Sequence, residues 1–324
     1  MAYIRKEAFM TLLIVIVLIF SPVIAKAAQS AKPAKLQLAL NWKAEPEFGG
    51  FYAAKLSGSF QRKNLDVEIT EGGAGTPVVQ MVANSKIPFG IAAADEVVIS
   101  QARGTDVVAL FAVYQINPQG IMAHPERGFK SIGDVFNSPG TLAIQSGSPH
   151  TLFLQSLFRG YKVKIVPYAG GVATFLTDPN YSQQCFVTSE PLIAQKKGKP
   201  AQTFLIADAG FRPYGTVVIA RRQYVETNQK QTRDFIDAVR EGWIEYLRAP
   251  EPANNLMIKL NPAMDGDTMK EGAEVQKPFI LATNASPQEL GKMANERWTE
   301  LVDQLYGIKL IKSKPAPDKL FQIF

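Results

Sequence analysis

Short apolar runs alternate with stretches of helical spacing from the mature start to about residue 223. Strands and helices that alternate in this way favour an α/β fold with largely parallel sheets. The predicted strands are 36–40, 65–70, 87–91, 107–114, 120–123, 141–145, 163–168, 184–187, 203–206 and 216–220. The predicted helices between them include 77–84, 96–103, 149–158 and 191–196.

The last hundred residues have a different pattern, typical of helices only. Residues 226–247 are predicted to form one long helix, because apolar side chains recur there with a helical period. These side chains include Phe235, Ile236, Val239, Trp243 and Tyr246. Further helices are predicted at 253–260, 267–279 and 287–306. The same periodicity predicts that Trp243 and Trp298 belong to the core.

Two stretches that contain proline and glycine, 115–120 and 209–215, are predicted to be crossovers between lobes. One lobe then comprises residues 36–115 plus 216–324, and the other comprises residues 120–210. A chain that leaves one lobe and returns to it forms a clamp with a central cleft. We expect the two lobes to open and close about these crossovers.

The N-terminus has the three parts of a secretory signal. Arg5 and Lys6 precede an apolar run at 11–24, and small residues follow at 25–28. This order predicts a signal peptide over 1–27 and a periplasmic protein, with an uncleaved anchor as the alternative. No cysteine lies near the cleavage site, so a lipoprotein acceptor is absent from that stretch of the sequence.

Composition and motifs argue against several functional classes. The net charge of +6 is scattered, without the dense basic stripe of a nucleic-acid-binding surface. His124 and His150 are the only histidines, and neither has a neighbour at metal-ligand spacing. The single cysteine, Cys185, cannot form an intrachain disulfide and is predicted to be a buried small side chain. We therefore expect a monomeric binding protein with no catalytic residues, metal or cofactor.

The loop that follows the first strand carries the first candidate ligand contacts. Trp42 offers a flat apolar wall with one N–H donor, and Phe48 offers a second apolar surface. In α/β folds, ligands bind where strands end and helices begin. The alternative for both side chains is ordinary core packing.

Three further loops lie at predicted strand ends. Gly73 and Thr76 belong to a glycine loop in which Thr76 is predicted to cap the next helix; an ordinary turn is the alternative. Asp95 follows a run of small residues, and it is predicted to be either a ligand contact or a helix cap. Ser146 and Ser148 precede Pro149 and could offer hydroxyl and N–H groups to a ligand.

Glu190 lies where the predicted strand 184–187 gives way to a helix. Its carboxylate is positioned to accept a hydrogen bond from a ligand amine or a protonated ring nitrogen. The alternative is a first-turn acidic residue that interacts with the helix dipole.

Several of these segments together resemble the NMT1/THI5-like periplasmic substrate-binding proteins of ABC transporters. The resemblance rests on three stretches, Asn41-Trp42 with Gly50-Phe51-Tyr52-Ala53-Ala54, Leu65-Asp66-Val67-Glu68-Ile69 with Gly72-Gly73, and Thr188-Ser189-Glu190-Pro191. It also includes Phe89-Gly90-Ile91 with Asp95-Glu96, and Glu241-Gly242-Trp243 before Ala249-Pro250-Glu251. It covers nearly all of the mature chain.

The resemblance implies an α/β clamp of the periplasmic-binding-protein type II-like fold, with a helical C-terminal part. Such a protein binds a small molecule and delivers it to an ABC permease in the inner membrane. Similar proteins bind thiamine-related pyrimidines, and relatives bind riboflavin or organosulfonates. By motif position, the resemblance gives Trp42 the role of aromatic wall and Glu190 that of acidic contact.

One position departs from the family pattern. Pyrimidine-binding members commonly have histidine where this chain has Phe48. The pyrimidine-synthesising enzymes of the superfamily need that histidine and a cysteine-rich motif, and this sequence has neither. The resemblance thus implies a receptor for a thiamine-pyrimidine-like ligand. The alternatives are an enzyme that metabolises pyrimidines or cofactors on the same fold, a receptor for riboflavin or organosulfonates, and a secreted structural or adhesion module.

Overall fold

A computed structural model of the protein describes residues 32–281 and 286–324. The predicted signal peptide, 1–27, lies outside the described residues. The strands are β1 Ala34–Ala39, β2 Leu65–Thr70, β3 Phe89–Ala92, β4 Val107–Tyr114, β5 Gln119–Ala123, β6 Thr141–Ile144, β7 Lys164–Pro167, β8 Tyr181–Phe186, β9 Gln202–Leu205 and β10 Gly215–Arg221. All ten overlap the predicted strands, and the largest difference is at β8, which begins three residues earlier than predicted.

The helices of the described residues follow the α/β and then all-helical pattern that the sequence predicts. They are α1 Gly49–Leu56, α2 Ser59–Arg62, α3 Val78–Ala83, α4 Ala94–Ala102, α5 Ile132–Asn137, α6 Pro149–Leu157, α7 Ala173–Thr177, α8 Glu190–Lys196, α9 Arg222–Thr227, α10 Gln229–Arg248, α11 Glu251–Leu260, α12 Gly266–Val275, α13 Lys277–Ile280 and α14 Asn295–Gly307. Within these same residues, no helix is both long enough and apolar enough to cross a bilayer.

The strands form two five-stranded sheets with the orders β2-β1-β3-β10-β4 and β7-β6-β8-β5-β9. In each sheet the first three strands are parallel and the last two pairings are antiparallel. Four strands of each sheet therefore run in one direction, in agreement with the expectation of largely parallel sheets, and only β10 and β5 are reversed. Parallel neighbours need a long return connection. By contrast, β5 and β10 enter their sheets from the other sheet and pair in the opposite direction.

Three of the predicted C-terminal helices are interrupted. The long helix divides at Asn228 into α9 and α10, and the helix predicted at 267–279 divides at Gln276. The helix predicted at 287–306 begins only at Asn295. Gly291 adopts φ +86°, and its carbonyl accepts a hydrogen bond from Ala112 N at 3.2 Å, so this segment follows the edge of β4.

The crossovers between the two sheets are held by one side chain of α14. The Arg297 guanidinium donates to Gln115 O at 2.7 Å and to Arg212 O at 2.9 Å, and it lies 3.7 Å from the ring centroid of Tyr214. Both connections therefore meet at one cation. The lobe boundaries and the hinge motion about these segments stay predictions.

Glycines set the closest helix contact in the core. Trp243 and Trp298 are fully buried, which confirms their predicted place there. A Cβ atom on Gly50 would lie 2.1 Å from Trp243 Cδ2, and one on Gly242 would lie 2.3 Å from Gly50 O. Only glycine at these positions allows α1 and α10 to approach so closely.

The variant Gly50→Ala is expected to lower the free energy of unfolding by at least about 2 kcal/mol, because the added methyl group overlaps the rigid indole of Trp243. Urea unfolding followed by tryptophan fluorescence measures this loss. Gly307→Ala is the matched control, since a Cβ atom there meets nothing within 4 Å. Equal stabilities of the two variants would contradict the packing argument.

Candidate functional site

The loop between β1 and α1 is fixed by buried amide side chains from the C-terminal helices. Asn261 Nδ2 donates to Ala44 O at 3.2 Å, and Gln276 Nε2 donates to Pro46 O at 2.9 Å. The Tyr114 hydroxyl donates to Gln276 Oε1 at 2.6 Å. Because both amides and the tyrosine are buried, the backbone of this loop has a defined position.

Helix α12 brings this loop next to the segment that precedes α8. A Cβ atom on Gly272 would lie 2.7 Å from Thr188 O and 3.0 Å from Pro46 Cγ, so glycine permits the approach. Lys196 Nζ and Asp265 Oδ1 form an ion pair at 2.7 Å between α8 and the start of α12. The two candidate ligand loops, around Trp42 and Glu190, therefore face one another.

Three glutamates, Glu45, Glu47 and Glu190, form what we call the carboxylate cluster. Burial, and then the charge of Glu190, raise the pKa of Glu45 to about 7; the neighbouring Ser189 and Trp42 side chains partly offset this. Burial and the charges of Glu45 and Glu190 raise the pKa of Glu47 well above its usual range. The Glu47 side chain is 8% exposed.

Glu190 is held by two hydrogen bonds. Tyr168 Oη donates to Glu190 Oε1 at 2.8 Å, and Phe186 N donates to Oε2 at 2.8 Å. Burial raises the pKa of the Glu190 carboxyl, and these two donors act against that shift. Glu190 is also the first residue of α8, so its position fits the helix-dipole alternative as well as the ligand hypothesis.

The two aromatic candidates of the first loop differ in their environment. Trp42 is half-buried, and its carbonyl accepts a hydrogen bond from Gly72 N at 2.9 Å. Phe48 is 0% exposed and packs in the core with Phe51 and Tyr52. The structure therefore places Phe48 in the core and not at a ligand surface, because the 3-10 turn at Pro46–Phe48 directs it inward.

The glycine loop closes on itself. Thr76 Oγ1 accepts a hydrogen bond from Gly73 N at 2.8 Å, and Thr76 N donates to Gly73 O at 3.0 Å. Helix α3 begins only at Val78, so Thr76 is not its cap, contrary to expectation. Because the Gly73 N–H is already bonded within the loop, it is not free to bind an anion.

A cavity lies between the two crossovers, beside the ends of β3 and β5. The residues that line it are Ala93, Asp95, Asn117, Gln119, His150, Ile206, Ala207, Phe211 and Pro213. The lining includes neither lysine nor arginine. Gln119 of the cavity lining lies opposite Phe186 in the β5–β8 pair. The Phe186 N–H donates to Glu190, so this cross-strand pair links the cavity to the carboxylate cluster.

Asp95 is a cavity residue and not the cap of α4. The carboxylate of Glu96 accepts from Ala93 N at 2.9 Å and performs the capping role. Asp95 is 5% exposed, and Glu96 N donates to its Oδ1 at 3.1 Å. Burial and the charge of Glu96 raise the pKa of Asp95 to about 7.

His150, the second residue of α6, is among the residues that line the cavity, while the predicted contacts Ser146 and Ser148 are not. Ser148 caps α6, and its hydroxyl donates to Gln145 O at 2.9 Å, while Ser146 is exposed. His150 lines the cavity, and burial lowers its pKa to about 4, so the ring is neutral at pH 7. Its Nε2 lies 3.1 Å from Ser148 Oγ and 3.4 Å from Gln119 Nε2.

Sequence reasoning missed Glu45, Glu47, Tyr168 and the cavity amides. Glu45 and Glu47 flank Pro46, three and five residues after Trp42, and this acidic pair near an aromatic residue was the available signal. No sequence pattern indicated that Tyr168 contacts Glu190, since the two residues lie twenty-two positions apart. Within residues 32–281 and 286–324, no group of three His, Cys, Asp or Glu side chains is placed to hold a metal ion.

The carboxylate cluster predicts a pH-dependent stability. Glu45 has a pKa of about 7 in the folded chain and an ordinary value of 4.5. The contribution of Glu45 to the free energy of unfolding is therefore fully present below about pH 4.5 and is lost as the pH rises through 7. Glu47→Gln removes one member of the cluster and should raise the free energy of unfolding at pH 8 by about 1–3 kcal/mol.

Urea unfolding of both proteins at pH 5 and pH 8 measures this difference, which should be much smaller at pH 5. The contribution of His150 has the opposite sign, being lost as the pH falls from 6.5 to about 4, but it is common to both proteins. Glu226→Gln, at an exposed position of α9, is the matched control. A variant less stable than the parent at pH 8 would contradict the argument.

The NMT1/THI5-like family model matches residues 45–253 of the chain. Among characterised relatives, the chain is similar to the 4-amino-5-hydroxymethyl-2-methylpyrimidine phosphate synthase of Candida albicans, with 24% identity over 205 residues. That match covers 63% of this chain and 52% of the enzyme, so the chain spans about half of the enzyme's length.

Solved structures of periplasmic binding proteins share the fold. The aliphatic sulphonate binding protein SsuA of Escherichia coli superposes with a TM-score of 0.68 at 17% identity, covering 89% of this chain and 97% of SsuA. The nitrate-binding protein NrtA of Synechocystis PCC 6803 gives a TM-score of 0.64 at 15% identity, covering 89% and 86%. These likenesses show a periplasmic-binding-protein fold with a helical C-terminal part.

Proposed function

The chain belongs to the NMT1/THI5-like family, and from this premise we propose that it is an extracytoplasmic solute receptor. The receptor is exported by its signal peptide and works in the periplasm. It binds a small heteroaromatic ligand of the thiamine-pyrimidine kind between its two sheets and delivers that ligand to an ABC permease.

The observation that carries the proposal is that the loops of Trp42 and Glu190 lie next to one another, because Pro46 and Thr188 both approach Gly272 of α12. Glu45 is influenced by both the Trp42 side chain and the Glu190 charge, so these groups share one small region. A half-buried indole stacks on a flat ring, and a carboxylate accepts hydrogen bonds from an exocyclic amine. An aminopyrimidine offers both features in one molecule.

The geometry of Glu190 supports this role. Its two oxygens are already oriented by Tyr168 and by the Phe186 N–H. Each oxygen of a carboxylate has a second lone-pair site, so both can still accept a hydrogen bond from a ligand. Since the carboxylate is fixed before the ligand binds, little side-chain entropy is lost on binding.

We prefer a receptor to an enzyme because of the environment of two side chains, Phe48 and Cys185. Phe48 stands where the pyrimidine-synthesising enzymes need histidine, and it is buried in the core. Cys185 is buried, and burial raises the pKa of its thiol well above its usual range, which disfavours the reactive thiolate. Binding without turnover is the behaviour these residues support.

A thermal-shift screen of pyrimidines, flavins, sulfonates and amino acids tests the function. We expect an aminopyrimidine such as 4-amino-5-hydroxymethyl-2-methylpyrimidine to raise the melting temperature. At a hundredfold excess over its Kd, the stabilisation is about 2.7 kcal/mol. A rise with sulfonates or riboflavin alone would refute the pyrimidine assignment, and turnover of the added pyrimidine at enzymatic rates would refute the receptor assignment.

The variant Trp42→Ala should weaken binding of the ligand found in that screen by at least about tenfold. The loss comes from ring stacking, worth about 0.5–1.5 kcal/mol, together with the apolar area that the indole covers. Isothermal titration calorimetry measures it, and an unchanged circular dichroism spectrum shows that the fold survives. Tyr306→Ala, an exposed aromatic position on α14, is the control. Unchanged affinity would assign Trp42 to core packing.

A further inference from the structure

The carboxylate cluster lacks a partner of opposite charge. Glu47 is 8% exposed, and no protein group donates a hydrogen bond to its side chain among the described residues. An isolated buried carboxylate is costly unless it is protonated or paired with a cation. The raised pKa values of Glu45 and Glu47 mean that a proton on the cluster is favoured when no cation is bound.

The groups that face the cluster from neighbouring elements do not supply a positive charge within the site. Tyr114 of β4 and Tyr168, directly after β7, are two of these groups. Burial, and then the charges of the neighbouring glutamates, raise the pKa of each tyrosine. From β8 comes the buried thiol of Cys185. The one basic side chain that acts on Glu45 is Lys43, which is exposed at the edge of the loop.

The cavity between the crossovers provides a second, separate observation. Asp95 is 5% exposed, and no donor bonds its Oδ2 among the described residues. The other polar groups of the lining are the amides of Asn117 and Gln119 and the neutral ring of His150. An anion in this cavity would meet the carboxyl group of Asp95 and no lysine or arginine of the lining, since Arg297 is engaged by the Gln115 and Arg212 carbonyls.

We propose that Glu45, Glu47 and Glu190 together bind a positively charged group of the ligand, a protonated amine or an amidinium, and release a proton to solvent as that group enters. The inference rests on the proposed function in placing the ligand in this cleft. The exchange is balanced, because the cluster loses one proton and gains one positive charge. SsuA and NrtA are named for anions, sulphonate and nitrate, whereas the ligand group proposed for this chain is positively charged.

A matched series of pyrimidines tests the charge preference. The three probes are 4-amino-5-aminomethyl-2-methylpyrimidine, which is a cation, the neutral 5-hydroxymethyl analogue and the anionic 5-carboxylate. We expect the cation to bind about tenfold to a hundredfold more tightly than the neutral probe at about pH 7.5, with the anion weakest. Calorimetry in phosphate and in Tris, which differ in ionisation enthalpy, counts the released proton.

Two variants assign the effect to the cluster. Glu47→Gln should lower the affinity for the cation by at least about tenfold and reduce proton release, while affinity for the neutral probe changes less than about threefold. Glu45→Gln makes the same test if the first variant does not fold, and Glu226→Gln is the exposed control. Tightest binding of the anion, or unchanged proton release in both folded cluster variants, overturns the proposal.

A set without the pyrimidine ring separates this inference from the proposed function. Benzylamine, benzyl alcohol, benzoate and the sulfonate buffer MOPS are compared by thermal shift. If no pyrimidine binds but benzylamine raises the melting temperature, the ligand class is wrong and the charge inference stands. If benzoate or MOPS stabilises the protein and benzylamine does not, or if no cation of either set stabilises it, the charge inference is wrong.

Discussion

The site depends on one electrostatic constraint, which is that Glu47 is buried and Glu45 and Glu190 are half-buried close to it. Among the described residues, no basic side chain forms an ion pair with any of the three. Such groups cannot all ionise at neutral pH without a cost of several kcal/mol. The backbone around them must therefore be held firmly by other interactions. Asn261 and Gln276 provide this hold, since each donates a hydrogen bond to a carbonyl of the Glu45 loop. The C-terminal helices thus act as a scaffold for a site whose charges lie on other elements.

The fold was largely readable from the sequence because its signals are local. Alternating apolar runs located all ten strands, and helical periodicity placed Trp243 and Trp298 in the core. The reversed direction of β5 and β10 was not readable, since it depends on where the chain re-enters a sheet. The interruptions of the C-terminal helices were missed for a similar reason: at Gly291 the backbone follows β4 instead of continuing a helix.

The candidate site was only partly readable, because burial decides which side chains are available. Trp42 and Phe48 look alike in the sequence, yet one is half-buried and the other has no exposed surface. Ser148 looks like a ligand donor, but its hydroxyl is engaged at the start of α6. The approach of Glu45 to Glu190 joins residues far apart in the chain, through the close packing at Gly272. No spacing rule contains that information.

A shared fold does not determine the charge of the ligand that a protein binds. A binding protein for an anion needs hydrogen-bond donors or positive charge around that anion. Here the cavity lining contains Asp95 and neither lysine nor arginine, and Glu45 lies close to the charge of Glu190. The glycine loop, which could have offered free N–H groups, instead satisfies Gly73 N with Thr76. His150 is buried, which keeps it neutral, so it adds no compensating charge. These side chains are the basis for proposing a positively charged ligand group on a fold that this chain shares with SsuA.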